Sequence, residues 1–118
     1  MNFQTIYFPK ADMKIYTVAR IWGMTGDHEE VRLCSEPYEF GKRVQTDKCV
    51  VFYTERIFYK KDGDEGLQIF APSSSISPDI KNSVGQIKLA VKELKTFNEI
   101  KDYEKNFEKY GLMTIAAP

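Results

Sequence analysis

From residue 3 to residue 70 the chain sets short apolar and aromatic runs between turn-forming residues, and this rhythm constrains the fold more than any other feature. Runs rich in Val, Ile, Phe and Tyr suit a pleated, half-buried surface, and Gly, Pro and Asp between them mark the turns. The spacing predicts a strand over 3–8, stopped by Pro9, which cannot donate to a sheet ladder. A second strand over 14–22 alternates Ile15, Thr17, Ala19 and Ile21 with Tyr16, Val18, Arg20 and Trp22, so both of its faces are at least half buried. Gly23 and Gly26 supply a tight connection to residues 30–34, where Val31 and Leu33 share a face, and the pair reads as a hairpin.

Residues 35–43 have no clean period and read as a loop. The strongest strand covers 48–60, with Val50, Phe52, Thr54, Arg56 and Phe58 on one face, and its length calls for a bend or bulge. The polar stretch 61–66 then turns the chain back into Leu67, Gln68, Ile69 and Phe70 as a second hairpin.

Beyond Ser77 the pattern changes. Ser77 suits an N-cap, Pro78 a first helical position and Asp79 the positive end of a helix dipole. Ile80, Val84, Ile87, Val91 and Leu94 recur at helical spacing, which predicts an amphipathic helix over 78–95. The register shifts at Leu94, and Thr96 with Glu99 forms a capping box. A second helix over 97–110 is therefore expected, or one kinked helix through both segments, ended by Gly111. Residues 112–116 offer a final edge strand. The expectation is an α+β fold in one domain spanning 1–118: an antiparallel twisted sheet of about five or six strands covered on one face by the C-terminal helical segment.

Composition enters where function is considered. The 118 residues carry 17 Lys plus Arg against 17 Asp plus Glu, and the balance holds on either side of Ser77, with ten basic and eleven acidic residues before it and seven and six from it onward. Binding nucleic acid by bulk charge needs a cation surplus that this chain lacks. With 42% hydrophobic residues a disordered chain is excluded. The first residues have no basic stretch followed by a long apolar run, so neither a signal peptide nor a membrane span is expected, and a cytoplasmic location follows. Cys34 and Cys49 are too few for a disulfide framework and read as packed, reduced thiols.

Few residues suggest chemistry. His28, the single histidine, stands between Asp27 and Glu29, carboxylates that could orient it, but the local sequence offers no nucleophile. An exposed turn histidine is the simpler reading. Zinc would need Cys34, Cys49, His28 and a carboxylate without any paired spacing, and the acidic residues after Lys61 lack the glycine and terminal glutamate positions of a calcium loop. Serines at 73–75 and 77 precede the expected helix start, where free amides attract anions, but they lack the glycine pattern of a phosphate loop. No catalytic residue, metal or cofactor is assigned.

Aromatic side chains make up 14% of the chain, and two places set them beside charge. These are Tyr38, Phe40, Lys42 and Arg43 in the long loop, and Tyr59, Lys60 and Lys61 with Asp62, Asp64 and Glu65 at the second hairpin. Tyr, Phe and Arg are enriched where proteins meet. The expected function is a non-enzymatic binding protein that blocks or neutralises a partner protein through these ten residues, in the manner of an immunity protein, a phage inhibitor or an antitoxin. A nucleic-acid module using the aromatic and basic residues is the alternative, and a small enzyme around His28 the third reading.

Overall fold

The computed structural model describes residues 1–37 and 48–118. Among the described residues nine strands form two sheets, with orders β1-β2-β3-β4 and β7-β8-β6-β5-β9, and a single α-helix follows β8. The expected antiparallel sheet of five or six strands is thus divided into a four-stranded and a five-stranded sheet.

The first sheet is a meander. β1 (Asn2–Phe8) and β2 (Met13–Trp22) pair with Phe3 opposite Val18 and Ile6 opposite Ile15. Between them Asp12 takes φ 49°, a left-handed conformation that Asp tolerates better than most side chains. β2 turns through Gly23, at φ 100°, into β3 (His28–Cys34). At that φ glycine is the residue that fits without strain. β3 pairs with β4 (Cys49–Phe52), placing Cys34 directly opposite Cys49.

Those cysteines form a disulfide with Cα atoms 4.1 Å apart, which corrects the reading of two reduced thiols. The cause is register. Ser35 N–H donates to the Lys48 carbonyl at 3.0 Å, so Cys34 and Cys49 occupy a non-hydrogen-bonded antiparallel position, where side chains approach most closely. Cross-linking residues 15 apart in sequence restricts the unfolded chain by roughly 3 kcal/mol on the chain-entropy account.

The long strand expected over 48–60 breaks at residues 53–55, where the chain leaves the first sheet and enters the second as β5 (Arg56–Lys61). Tyr53 N–H donates to the Ser75 carbonyl at 2.9 Å, and the half-turn reverses the phase of the side chains. Val50, Phe52, Ile57 and Tyr59 enter the core shared by the two sheets, whereas Phe58 faces the other way into a second apolar cluster. β5 returns through the 62–65 turn as β6 (Gly66–Pro72), with Phe58 opposite Phe70.

The largest correction concerns residues 78–95. They are not a helix: β7 (Ser83–Val84) and β8 (Ile87–Leu94) occupy the stretch, joined by Gly85 at φ +58°. β8 lies parallel to β6, with Ile69 opposite Val91. Ile87 and Leu89 are buried while Lys88, Ala90 and Lys92 are exposed, a period of two that the helical stripe overlooked by leaving out Leu89. Val84, Ile87 and Val91 are also β-branched and favour strands. Ser77 does not cap; its hydroxyl bonds the Asp79 carboxylate.

The second expected helix is present but shorter than 97–110, as α1 (Phe97–Asn106) followed by turns over 107–110, with Thr96 Oγ1 accepting from Glu99 N–H at 3.1 Å and Glu99 Oε1 accepting from Lys95 N–H at 3.3 Å. Gly111, at φ 71°, releases the chain, and β9 (Met113–Ala116) pairs antiparallel with β5.

Three layers result. Ile6, Phe8, Ile15, Leu33 and Phe52 from the first sheet meet Ile57, Leu67, Ile69, Ile87 and Ile115 from the second in one apolar core. On the outer side of the second sheet, Phe58, Phe70, Leu94 and Leu112 pack under Ile100, Tyr103 and Phe107 of the α1 segment. Phe58 and Phe107 lie 5.5 Å apart, and Phe70 and Tyr103 5.6 Å. The outer side of the first sheet has no helix over it among the described residues.

Candidate functional site

Of the ten residues singled out for contact, Tyr38, Phe40, Lys42 and Arg43 lie outside the described residues. Tyr59 is 5% exposed and belongs to the shared core, where burial raises the pKa of its hydroxyl. Its ring therefore presents no platform for a partner. Lys60 and Lys61 point to opposite sides, as strand neighbours do. Lys61 Nζ donates to the Tyr7 carbonyl and lies 5.1 Å from the Phe8 ring, tying the hairpin to β1. Asp62, Asp64 and Glu65 are exposed at the turn, where Lys10 Nζ stands 3.7 Å from Asp64 Oδ2. A Cβ at Gly66 would meet the Asp62 carbonyl at 2.3 Å, so this turn is built tightly.

A different constellation is more developed. On the outer side of the first sheet the hairpin register sets Arg20 opposite Glu30, and Arg32 follows two residues further on the same face. Arg20 Nε and Arg32 Nε each donate to Glu30 Oε1 at 2.7 Å. Glu30 is 3% exposed, and burying a carboxylate is costly unless it is paired by charge-assisted bonds of this kind. Two guanidiniums on one carboxylate leave one positive charge in surplus, with terminal N–H donors left for an outside acceptor.

The same arginine is held from its other side. The Arg20 guanidinium lies 4.1 Å from the Trp22 ring centroid, and the Trp22 ring stacks on His28 at 5.4 Å. Trp22 is 39% exposed. Met1, Phe3 and Met24 are further exposed large apolar side chains at this end of the sheet. Cation, aromatic ring and apolar surface thus occur together, with the arginine already ordered. Ordering a long side chain beforehand removes part of the entropic cost of binding.

Sequence reasoning passed over this cluster because it read both faces of 14–22 as half buried. The signal was available: in a two-stranded hairpin turning at residues 23–27, the Arg20, Trp22, Glu30 and Arg32 side chains must share one face.

His28 takes part through its ring. It is an exposed side chain stacked on Trp22, 3.8 Å from Asp27 Oδ1, and Glu29 projects from the opposite face of β3. Burial first, and the neighbouring Glu55 carboxylate second, raise the pKa of Glu29. Both cysteines are oxidised, which removes them as thiolate ligands, and among the described residues no group of three or more His, Cys, Asp and Glu is placed to hold a metal ion. Nor, among the described residues, is any helix long and apolar enough to cross a membrane.

Comparison with protein-family models, with curated proteins and with solved structures found no match for this chain.

Proposed function

We propose that this is a non-enzymatic binding protein that acts by covering a surface of a partner protein and so blocking or neutralising it, as an immunity protein, inhibitor or antitoxin does. The observation that carries the reading is the Arg20–Trp22 pair, stacked at 4.1 Å and anchored by Glu30 at 2.7 Å. Trp, Tyr and Arg dominate the few residues that supply most of the energy of protein interfaces. Here two such side chains stand together on a sheet face, Trp22 exposed and Arg20 half-buried, with their geometry already set. The surplus guanidinium charge favours a partner that offers a carboxylate, and the apolar side chains around Trp22 favour a partner with an apolar rim.

A protein partner is preferred to nucleic acid because the chain's formal charge is +0 and the Arg20–Glu30–Arg32 cluster adds only one cation, too little to neutralise several phosphates.

The test is capture from host lysate after nuclease treatment, comparing the wild-type chain with Trp22→Ala and Arg32→Ala. The expected result is one stoichiometric protein retained by the wild type, with affinity reduced about thirtyfold or more by Trp22→Ala, as loss of a hot-spot side chain implies, at an unchanged thermal midpoint. Equal retention by the variants would remove this face from the reading. Partners seen only without nuclease would replace the reading with nucleic-acid binding.

A further inference from the structure

The second sheet carries a groove on the side away from the Arg20 cluster. α1 covers Phe58, Phe70 and Leu94 but not the neighbouring row of Lys60, Gln68 and Ala90, which the register lines up across β5, β6 and β8. Along the helix edge of that row runs a groove of about 440 Å³, within the roughly 300–1,000 Å³ common for small-ligand sites. Its lining includes Lys60, Gln68, Ala90, Lys92, Tyr103 and Tyr110, and contains no carboxylate.

We infer that this groove binds a small ligand that joins an aromatic ring to an anionic group, a phosphate or a carboxylate. Each part of the ligand has a counterpart. Ala90 projects only a methyl group between Lys88 and Lys92 on the exposed face of β8, which opens the floor. Lys60 and Lys92 stand two strands apart, about 10 Å across the sheet, so an anion entering between them meets an ammonium group on either side. Lys92 Nζ is 5.9 Å from the Phe70 ring and not in an ion pair among the described residues.

The aromatic wall is rigid. Tyr110, 47% exposed, donates its hydroxyl to Asp102 Oδ2 at 2.6 Å and meets Tyr103 edge-on at 5.2 Å, while Tyr103 stacks on Phe70 at 5.6 Å. Tyr110 thereby keeps one ring surface fixed toward solvent for a planar partner, and the Gln68 amide supplies a donor and an acceptor on the floor.

The experiment titrates the full chain, followed by amide and aromatic NMR shifts, with two ring-bearing anions, adenosine 5′-monophosphate and indole-3-acetate. Adenosine and indole serve as the ring-only probes, and inorganic phosphate and acetate as the charge-only probes. The expected result is saturable binding of at least one ring-bearing anion, about tenfold or more tighter than either of its halves, with shifts at Gln68, Ala90 and Tyr110. Which anion binds tighter separates a phosphate from a carboxylate ligand. The double variant Lys60→Gln/Lys92→Gln should weaken it about tenfold. Ala90→Ile, which fills the floor and suits a strand, should abolish it, both variants keeping the wild-type thermal midpoint. The inference is overturned if neither ring-bearing anion binds at millimolar concentration, if the halves bind as well as the whole, or if the variants leave affinity unchanged. Because every lining residue is remote from Trp22, failure here leaves the partner-capture test untouched.

Discussion

Residues 83–94 and 97–106 are neighbours in the chain, both mix lysines with apolar residues, and they fold differently: the first as β7 and β8, the second as α1. The difference lies at their ends and on their faces. α1 opens with a reciprocal cap, Thr96 accepting from Glu99 N–H and Glu99 reaching back to Lys95 N–H, which satisfies two amides that a helix start leaves free. The earlier segment has no such closure, since the Ser77 hydroxyl is taken by Asp79. It also contains Gly85, whose presence in a helix interior would cost about 1 kcal/mol relative to Ala. As a turn at φ +58° the same glycine is favoured.

Burial completes the contrast. No residue of α1 is fully buried; it lies on the protein by one face. β8 is inserted between β6 and β7 and buries Ile87 and Leu89 in the shared core, while Leu94 reaches the cluster beneath the helix. A segment required on two sides is better served by a strand, whose side chains alternate, than by a one-sided helix.

Substitutions can break this contrast or sharpen it. The largest effect is expected for Leu89→Ala, a buried core side chain, at about 2–5 kcal/mol. Val91→Ala on the same strand, only partly buried, should cost clearly less. Chemical denaturation of the two variants checks the order; a helix over 78–95 would reverse it, because Val91 and not Leu89 lies on the helical stripe. Next comes Gly85→Ala, expected to cost about 1–2 kcal/mol for the left-handed backbone, with its new methyl 3.0 Å from Met13 Cε. A stabilising effect in thermal melts would contradict the turn.

Thr96→Ala tests the other side of the contrast and should destabilise by about 1 kcal/mol through loss of the cap, with Thr96→Ser restoring most of it. Equal stability of Ala and Ser variants would mean that the cap contributes nothing. The smallest effect concerns pH. The Tyr110 hydroxyl first and the Asn106 amide second donate to Asp102 and hold its carboxyl below the ordinary carboxylate range. A depressed pKa contributes stability above the unfolded value and loses it as pH falls through the folded one, so the last turn of α1 should loosen only on strong acidification. An NMR titration of Asp102 is expected to give a midpoint below that of a free aspartate, and Tyr110→Phe to raise it.

Much of the fold was legible because it is local. The β2–β3 turn at Gly23, the β5–β6 hairpin, the Thr96 cap and an edge strand near the C-terminus, expected over 112–116 and found over 113–116, each follow from a few adjacent residues. The Arg20–Glu30–Arg32 cluster was also within reach, since a hairpin places those side chains on one face, but weighing 14–22 only for burial hid it. What was not legible depends on distant residues. Nothing near Lys60 announces that Lys92 will line the same groove, because their association requires β8 to lie parallel to β6. Nor does Tyr59, an aromatic beside two lysines, reveal that the break at residues 53–55 turns it inward.

By itself, then, the sequence determined most of the strands before residue 71, the capped start of the helix after Thr96, and that charge is balanced throughout, because propensity, capping and turn chemistry act over a few bonds. Only the tertiary structure decided that residues 83–94 are strands, that the sheets divide at 53–55, that Cys34 meets Cys49, and which outer face carries the anchored arginine and which the lysine groove. The reason is that an apolar side chain such as Leu89 or Val91 is equally satisfied in any conformation that removes it from water, so the choice falls to whichever arrangement buries the whole set together.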